Sequence, residues 1–274
     1  MDTRTIGIEV EMTGILRSKA AEVVGSFFNA YPQSITRLNY AVKDNLGRKW
    51  HIKYDDSIIL LVNNGNELIP TSDEAYAIEI ISPVLKVDGI KTMLMVMDSL
   101  RHTGGIVSES CGLHVHIGGE GHNAESIRRL LVTTHAYQAR LNATLNINPK
   151  RRAYCGFPRD EIVERIKALE HPALSDIEDA WYYGNKKGKN RHLNNIRRQF
   201  VNLHSFFNGI GTVEFRGFNA TLDSSEIEKF VNIALAIDEA GRTANSQKIE
   251  ELLIFLPKEQ EQNYITKPKL RFAR

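Results

Sequence analysis

Cysteine is scarce: the 274 residues contain Cys111 and Cys155 and no others. A chain of this length buries roughly three quarters of the surface its unfolded form exposes, so the core needs no covalent staples and both thiols are expected to be free. No apolar run approaches the roughly 18 residues a membrane-spanning helix needs. The opening Met1-Asp2-Thr3-Arg4 is charged where a secretory leader would be apolar, which together with free thiols points to the cytosol. Neither sign of charge dominates: 35 basic against 33 acidic side chains leave a net +2, so no global field draws the chain onto a polyanion. Repeats and low-complexity tracts are absent as well. With 42% hydrophobic and 25% charged residues, the composition excludes a disordered or collagen-like chain.

What is present reads as one large domain over 1–274, with a core over 5–256 and a basic tail over 257–274 that holds Lys267, Lys269, Arg271 and Arg274. A second basic group comprises Lys186, Lys187, Lys189, Arg191, Arg197 and Arg198. Apolar spacing alternates between periods of two and of about 3.6. Strands are predicted over 5–15, over 48–62 with a kink near Asp55, and over 76–81, 111–118 and 212–221. Helices are predicted over 18–30 capped by Ser18, from an Asp88 cap through Arg101, and over 124–145, 160–169, 175–183, 194–207 and 224–255. Ser175 and Glu178 have capping-box spacing, and Met93 and Met97 fall on the core side of their helix. Because the strands alternate in polarity, the fold class is α+β: an antiparallel sheet with helices on one face and a polar, cleft-lining face opposite.

The polar face carries the chemistry. Residues i and i+2 of a strand share a face, so Glu9 and Glu11 oppose the stripe Ile6, Ile8, Val10 and Met12. Likewise His114 and His116 oppose Leu113, Val115 and Ile117, Glu214 and Arg216 oppose Val213 and Phe215, and Glu79 opposes Ile78 and Ile80. Any one such strand is ordinary solvated surface. Four together concentrate carboxylates and imidazoles, which repel or stay idle unless a cation joins them. Glycines at 7, 112, 118, 211 and 217 weaken strands and mark close approach by a ligand or backbone. A site rich in carboxylates, with imidazole and no thiolate, suits Mg²⁺, or Mn²⁺, better than structural Zn²⁺. Such cations neutralise ATP phosphates, while a guanidinium on the same face stabilises charge on a transferred phosphoryl group. A Gly-x4-Gly-Lys-Ser/Thr loop and a His-Glu-x-x-His helix are both missing, which removes P-loop proteins and the common zinc peptidases.

The ordered set Gly-Ile-Glu-Val-Glu (7–11), Tyr-Asp-Asp-Ser-Ile (54–58), Glu-Ile-Ile-Ser-Pro (79–83), Cys-Gly-Leu-His-Val-His-Ile-Gly (111–118), Arg-Arg-Ala-Tyr-Cys (151–155) and Gly-Thr-Val-Glu-Phe-Arg-Gly-Phe (211–218) resembles the amidoligase family. That family is a branch of the glutamine synthetase and glutamate–cysteine ligase superfamily. The resemblance implies a glutamine synthetase-like fold and an ATP-dependent carboxylate–amine ligase, in which a carboxylate becomes an acyl phosphate and an amine attacks it. It implies Glu9, Glu11, Glu79, His114 and Glu214 as metal ligands, His116 as a nucleotide-phosphate contact, and Arg216 as the phosphoryl-stabilising arginine. Glu11, Asp55 and Arg216 are the catalytic candidates. Asp55 stands where the family has an Asp-Gly-Ser segment that handles the amine, but Asp56 replaces the glycine and leaves the role open between the two aspartates. The expected partners are a carboxylate donor and an amine acceptor, with no membrane and no nucleic acid.

Among lesser candidates, Arg151, Arg152, Arg197 and Arg198 suit a donor carboxylate or a γ-phosphate, Arg152 and Arg198 being chosen for ATP, although exposed Arg-Arg pairs are commonly just solvated. The basic loop 184–190 reads as a lid over ATP, a clamp for an acidic macromolecule or an idle loop. Asn202 is a structural or nucleotide contact; Cys111 is a small buried residue, and Cys155 lacks the partners of a nucleophile. Two rival functions remain. His114-x-His116-x-x-x-Glu120 partly matches a cupin metal motif, which would place the site in a small β-barrel. The basic segment 186–198 would serve a nucleic-acid-binding module, although no helix-turn-helix signature accompanies it.

Overall fold

The structure, a computed structural model, describes residues 2–183, 189 and 195–254. The basic loop at 184–190, most of the 186–198 segment and the tail over 257–274 therefore lie largely or wholly outside the described residues.

The strict alternation of β1 (Thr5–Met12) buries Ile6, Ile8, Val10 and Met12 on one side. Helix α1 (Arg17–Phe27) follows, then β2 (Gln33–Thr36), β3 (Asn39–Lys43), β4 (Lys49–Lys53), a small ribbon of β5 (Leu61–Asn63) and β6 (Leu68–Pro70), and then β7 (Ile78–Ile81) and β8 (Leu85–Lys86). The chain continues through α2 (Ile90–His102), β9 (Gly112–Gly118), α3 (Ala124–Ala136), α4 (Gln138–Leu145), α5 (Asp160–Lys167) and α6 (Leu174–Trp181). It ends with β10 (Val201–Asn202), α7 (His204–Asn208), β11 (Thr212–Asn219), α8 (Ser224–Thr243) and α9 (Gln247–Leu252).

Nine strands form one sheet in the order β10-β11-β9-β1-β7-β4-β3-β2, with β8 also paired to β1, and every pairing is antiparallel. Both β7 and β8 lie along the same edge of β1. Between them, Pro83 has no N–H to give the ladder, and the Ser82 hydroxyl accepts from Ile8 N at 2.9 Å. The helices cover one face: α1 packs on β3 and β4, and α8 packs on β9, α2 and α3. Met93 and Met97 are fully buried there, as core filler. The α+β class and the large antiparallel sheet are thus as the alternation implied. An open sheet with helices on one side is not a barrel, which removes the cupin reading: His114 and His116 sit on an interior strand of a broad sheet.

Several helical expectations need correction. The stretch 124–145 divides at Tyr137, whose ψ of 5° leaves the helix while its hydroxyl bonds Glu250 of α9. The stretch 224–255 stops at Thr243, because Ala244 turns left-handed (φ 61°). Residues 194–207 are not one helix, since Val201 and Asn202 spend their backbone bonds on Phe215 and Glu214 of β11. The helical spacing of apolar residues there is overridden by sheet pairing. Ser18 and Asp88 are not caps, because α1 starts after Leu16 and α2 after Gly89. The expected Ser175–Glu178 box is replaced by Asp176 accepting from Ala173 N at 2.8 Å. Strands β2 and β3 were not expected from the sequence.

Candidate active site

Strand register assembles the site in the middle of the polar face. Glu9 lies directly opposite His114, Glu11 opposite Glu79, and Glu214 opposite His116. Residues paired in this way have Cβ atoms about 5 Å apart, so four strands bring six ligand-type side chains into one patch. Glu11, His114, His116 and Glu214 are buried, while Glu9 and Glu79 are half-buried.

His114 is the centre. Its Nδ1 lies 3.0 Å from Glu9 Oε2 and 3.9 Å from Glu214 Oε1, and its Nε2 lies 3.8 Å from Glu11 Oε1. Two ligand groups follow, Glu9–His114–Glu214 and Glu11–Glu79–His114, each with donor atoms within 4.8 Å of one another. A neutral imidazole offers one lone pair, so His114 serves one group at a time and gives its N–H to the carboxylate of the other. His116 Nδ1 bonds the Thr212 hydroxyl at 2.9 Å, while its Nε2, buried and without a hydrogen bond, stands 3.4 Å from Glu9 Oε1.

The carboxylates are held from behind. Gly112 N donates to Glu11 Oε2 at 2.7 Å. Glu214 receives Asn202 Nδ2 on Oε2 at 2.6 Å and Arg216 Nη1 on Oε1 at 2.7 Å. Arg216 Nε is buried without a hydrogen-bond partner. Of the glycines flagged on this face, three are approached by the chain's own side chains. A Cβ on Gly112 would overlap the Arg151 guanidinium, one on Gly118 the Thr5 hydroxyl, and one on Gly217 the Phe200 ring.

Electrostatics show the strain of crowding acids together. Burial, then the charges of Glu9, Asp55 and Glu11, push the Glu79 carboxyl well above the ordinary range. Burial raises Glu11 as well. Glu9 and Glu214 go the other way: burial opposes their ionisation, but His116 and its neighbours overcome it and hold both below the usual value. Burial disfavours the charged form of His116, yet Glu9 and Glu214 lift it to about 9. A cation between these groups would satisfy the carboxylates and let Glu79 ionise, so the donor set fits a hard divalent ion.

Around this centre, Asp55 is half-buried and charged close enough to raise Glu11 and Glu79, whereas Asp56 is exposed; Asp55 is the aspartate that faces the site. Its carboxylate accepts from Ser57 N at 2.8 Å, closing the turn after β4. Arg152 is exposed, and Arg198 is exposed with its guanidinium 4.9 Å over the Tyr154 ring. Their neighbours lie closer in: Arg151 is buried and bonds Phe218 O and Arg216 O, and the half-buried Arg197 feels Arg216, Glu214 and Asp55. Sequence reading offered all four and chose Arg152 and Arg198 for ATP; in the structure these two are the exposed members, and Arg151 and Arg197 are the more buried ones. Thr212 and the Gly112 N–H were missed, and no motif marks them. Cys111 and Cys155 are free and buried, and burial raises Cys111 to about 11 and Cys155 upward, which disfavours the reactive thiolate in both.

Fold and site together define an α+β protein with a carboxylate–imidazole centre built across the strands of one open antiparallel sheet. The chain belongs to the family described as putative amidoligase enzyme, whose sequence profile matches residues 2–238. It is therefore a member of a ligase-type family, one that joins a carboxylate and an amine. No curated protein matches the sequence. Among the described residues no helix is long and apolar enough to cross a membrane.

Proposed function

We propose that this protein is an ATP-dependent carboxylate–amine ligase that works through an acyl phosphate, with Mg²⁺ or Mn²⁺ held by Glu9, Glu11, Glu79, His114 and Glu214. The observation that carries this reading is the two ligand triplets on adjacent strands, each of two carboxylates with the shared His114. Bound there, the cations would neutralise phosphate oxygens and polarise the bond to be broken. The chain's residues do the rest. Arg216, fixed on Glu214, offers its remaining N–H groups to the γ-phosphoryl group in flight. His116, with its Nε2 buried and without a hydrogen bond, suits a phosphate oxygen there. Arg197 and Arg151 line the same side, with Arg152 and Arg198 further out as phosphate contacts. A donor carboxylate oxygen attacks the γ-phosphorus and ADP leaves. The amine then attacks the acyl carbon, phosphate leaves, and Asp55 accepts the proton the amine gives up.

The test is calorimetry with MgATP on the wild type, Glu9→Gln and Glu214→Gln. Heats are expected for the wild type and none for either variant; unchanged binding in both would refute the reading. Incubation with ATP and cell extract should then yield ADP and a product lighter by one water than its two precursors.

A further inference from the structure

The polar face does not stop at Glu79. In β4, Trp50 and Ile52 are in the core, so Lys49, His51 and Lys53 stand on the carboxylate side. The register fixes their place: Lys53 is opposite Glu79, His51 opposite Ile81, and Ile81 opposite Glu9. One strand further out, Lys43 of β3 lies directly opposite Lys49. Three lysines thus make a plate that continues the ligand-bearing face, with His51 between two of them, its charged form disfavoured by burial and by Lys53 and Lys49.

Two observations argue that the plate is kept for a ligand. Like charges directly opposite each other destabilise an antiparallel pair, yet Lys43 faces Lys49. None of the three lysines forms an ion pair with a described residue, although the same hairpin closes its turn with an Arg48–Asp44 bridge at 2.8 Å. On the face, Lys43 and Lys49 therefore have only each other opposite, while Lys53 stands opposite Glu79. The second observation is position. His116 and Arg216 lie on β9 and β11, to one side of β1, and the plate lies on β4 and β3, to the other. With phosphate on the first side, the second is left for the carbon substrate.

We propose that this plate binds remote carboxylates of an elongated acidic peptide whose reacting carboxylate sits among Glu9, Glu11 and Glu79. The proposal rests on the ligase reading and names its substrate class. From β1 to β4 is two strand spacings, about 10 Å. An extended peptide covers that in about three residues, and acids beyond them meet the lysines spread along β4. Ammonium groups on flexible stems suit carboxylates of varied geometry.

The probe is a fluorescein-labelled peptide of four glutamates, titrated with the full-length protein in the presence of Mg²⁺ and followed by anisotropy. The wild type is expected to bind it, and the Lys43→Gln/Lys49→Gln variant to bind at least tenfold more weakly. MgATP calorimetry should be the same for the two. Thermal unfolding of the variant should be no lower than wild type, because a like-charge pair has been removed. The proposal is overturned if the wild type fails to bind the peptide, if the variant binds equally well, or if unlabelled glutarate displaces the probe as effectively as unlabelled tetraglutamate. A single-stranded oligonucleotide binding more tightly than the peptide would overturn it too and make the plate a nucleic-acid surface. Loss of MgATP binding is read only from the Glu9 and Glu214 variants, so failure of the ligase reading is distinguishable from failure of the plate.

Discussion

At the scale of single residues, the site depends on carboxylates whose oxygens are already spoken for. Glu214 accepts Asn202 on one oxygen and Arg216 on the other, which fixes the side chain and directs its free lone pairs towards His114 and His116. Asn202 is a positioning residue in this scheme, since its Oδ1 also accepts from His204 N at 2.8 Å and locks the amide. Asn202→Ala should weaken Mn²⁺ binding about tenfold, the usual loss when a ligand's supporting hydrogen bond goes. An electron paramagnetic resonance titration of free Mn²⁺ reads this directly, and an unchanged affinity would remove Asn202 from the role. Alternation in four strands was enough to nominate Glu9, Glu11, Glu79, His114, His116, Glu214 and Arg216, because a period of two states which residues share a face. It could not nominate Asn202 as a Glu214 partner, since that contact depends on β10 pairing with β11, and the apolar spacing around β10 resembles a helix.

At the scale of elements, irregularities do as much as regular structure. The pairing of β11 with β9 shifts between Phe215 and Phe218, so Phe218 returns to the core three residues on from Phe215 while Arg216 stays on the polar face. Gly217 makes room for Phe200 at this bulge. Helix α3 begins with a reciprocal cap: Asn123 Oδ1 accepts from Ser126 N at 2.9 Å, and Ser126 Oγ accepts from Asn123 N at 2.8 Å. Replacing Asn123 with Ala should cost about 1 kcal/mol, a fall of roughly 3 °C in Tm for a chain of this size, measured by calorimetric scanning. The sequence places this helix start at 124 correctly, but it has Ser126 in place of the Glu of the usual box, so the reciprocal half of the cap is seen only in the structure. The hairpin of β3 and β4 was likewise only half legible. Lys49-Trp50-His51-Ile52-Lys53 alternates clearly, but its polar side acquires meaning only when the register sets Lys53 against Glu79.

At the scale of the molecule, a buried charge ties the helical layer to the sheet. Asp238 of α8 is fully buried, accepting Arg4 Nη1 at 2.9 Å and Arg242 Nε at 2.8 Å, with His122 Nε2 at 2.8 Å. Arg242 in turn donates to Gly118 O at 2.9 Å, at the end of the strand that carries His114 and His116. Burial pushes the Asp238 pKa up, but the hydrogen bonds from His122 and Arg242 more than offset this and hold it below the ordinary 3.8. A depressed carboxylate pKa adds stability above the unfolded value and loses it as pH falls through the folded one. Asp238→Asn should therefore cost on the order of 3 kcal/mol at pH 7, where it strands partly buried cations, and the gap to wild type should begin to close below about pH 4 and go on closing as pH falls through the folded pKa. Urea unfolding at the two pH values measures it; a gap independent of pH would show that the charge is not the tie.

What the sequence determined by itself is local and periodic: which side of each strand is apolar, hence an antiparallel sheet with one covered face, and which acids, imidazoles and guanidinium share the other. Those follow from the alternating direction of side chains along a strand, which needs no knowledge of neighbours. Tertiary structure alone decided the strand order that puts β1 between β9 and β7, the single His114 common to two ligand groups, the burial of Arg151 and Arg197 beside exposed neighbours, and the basic plate beside Glu79. Each of these depends on pairing between segments tens of residues apart, where register is set by packing over the whole sheet and no local pattern records it.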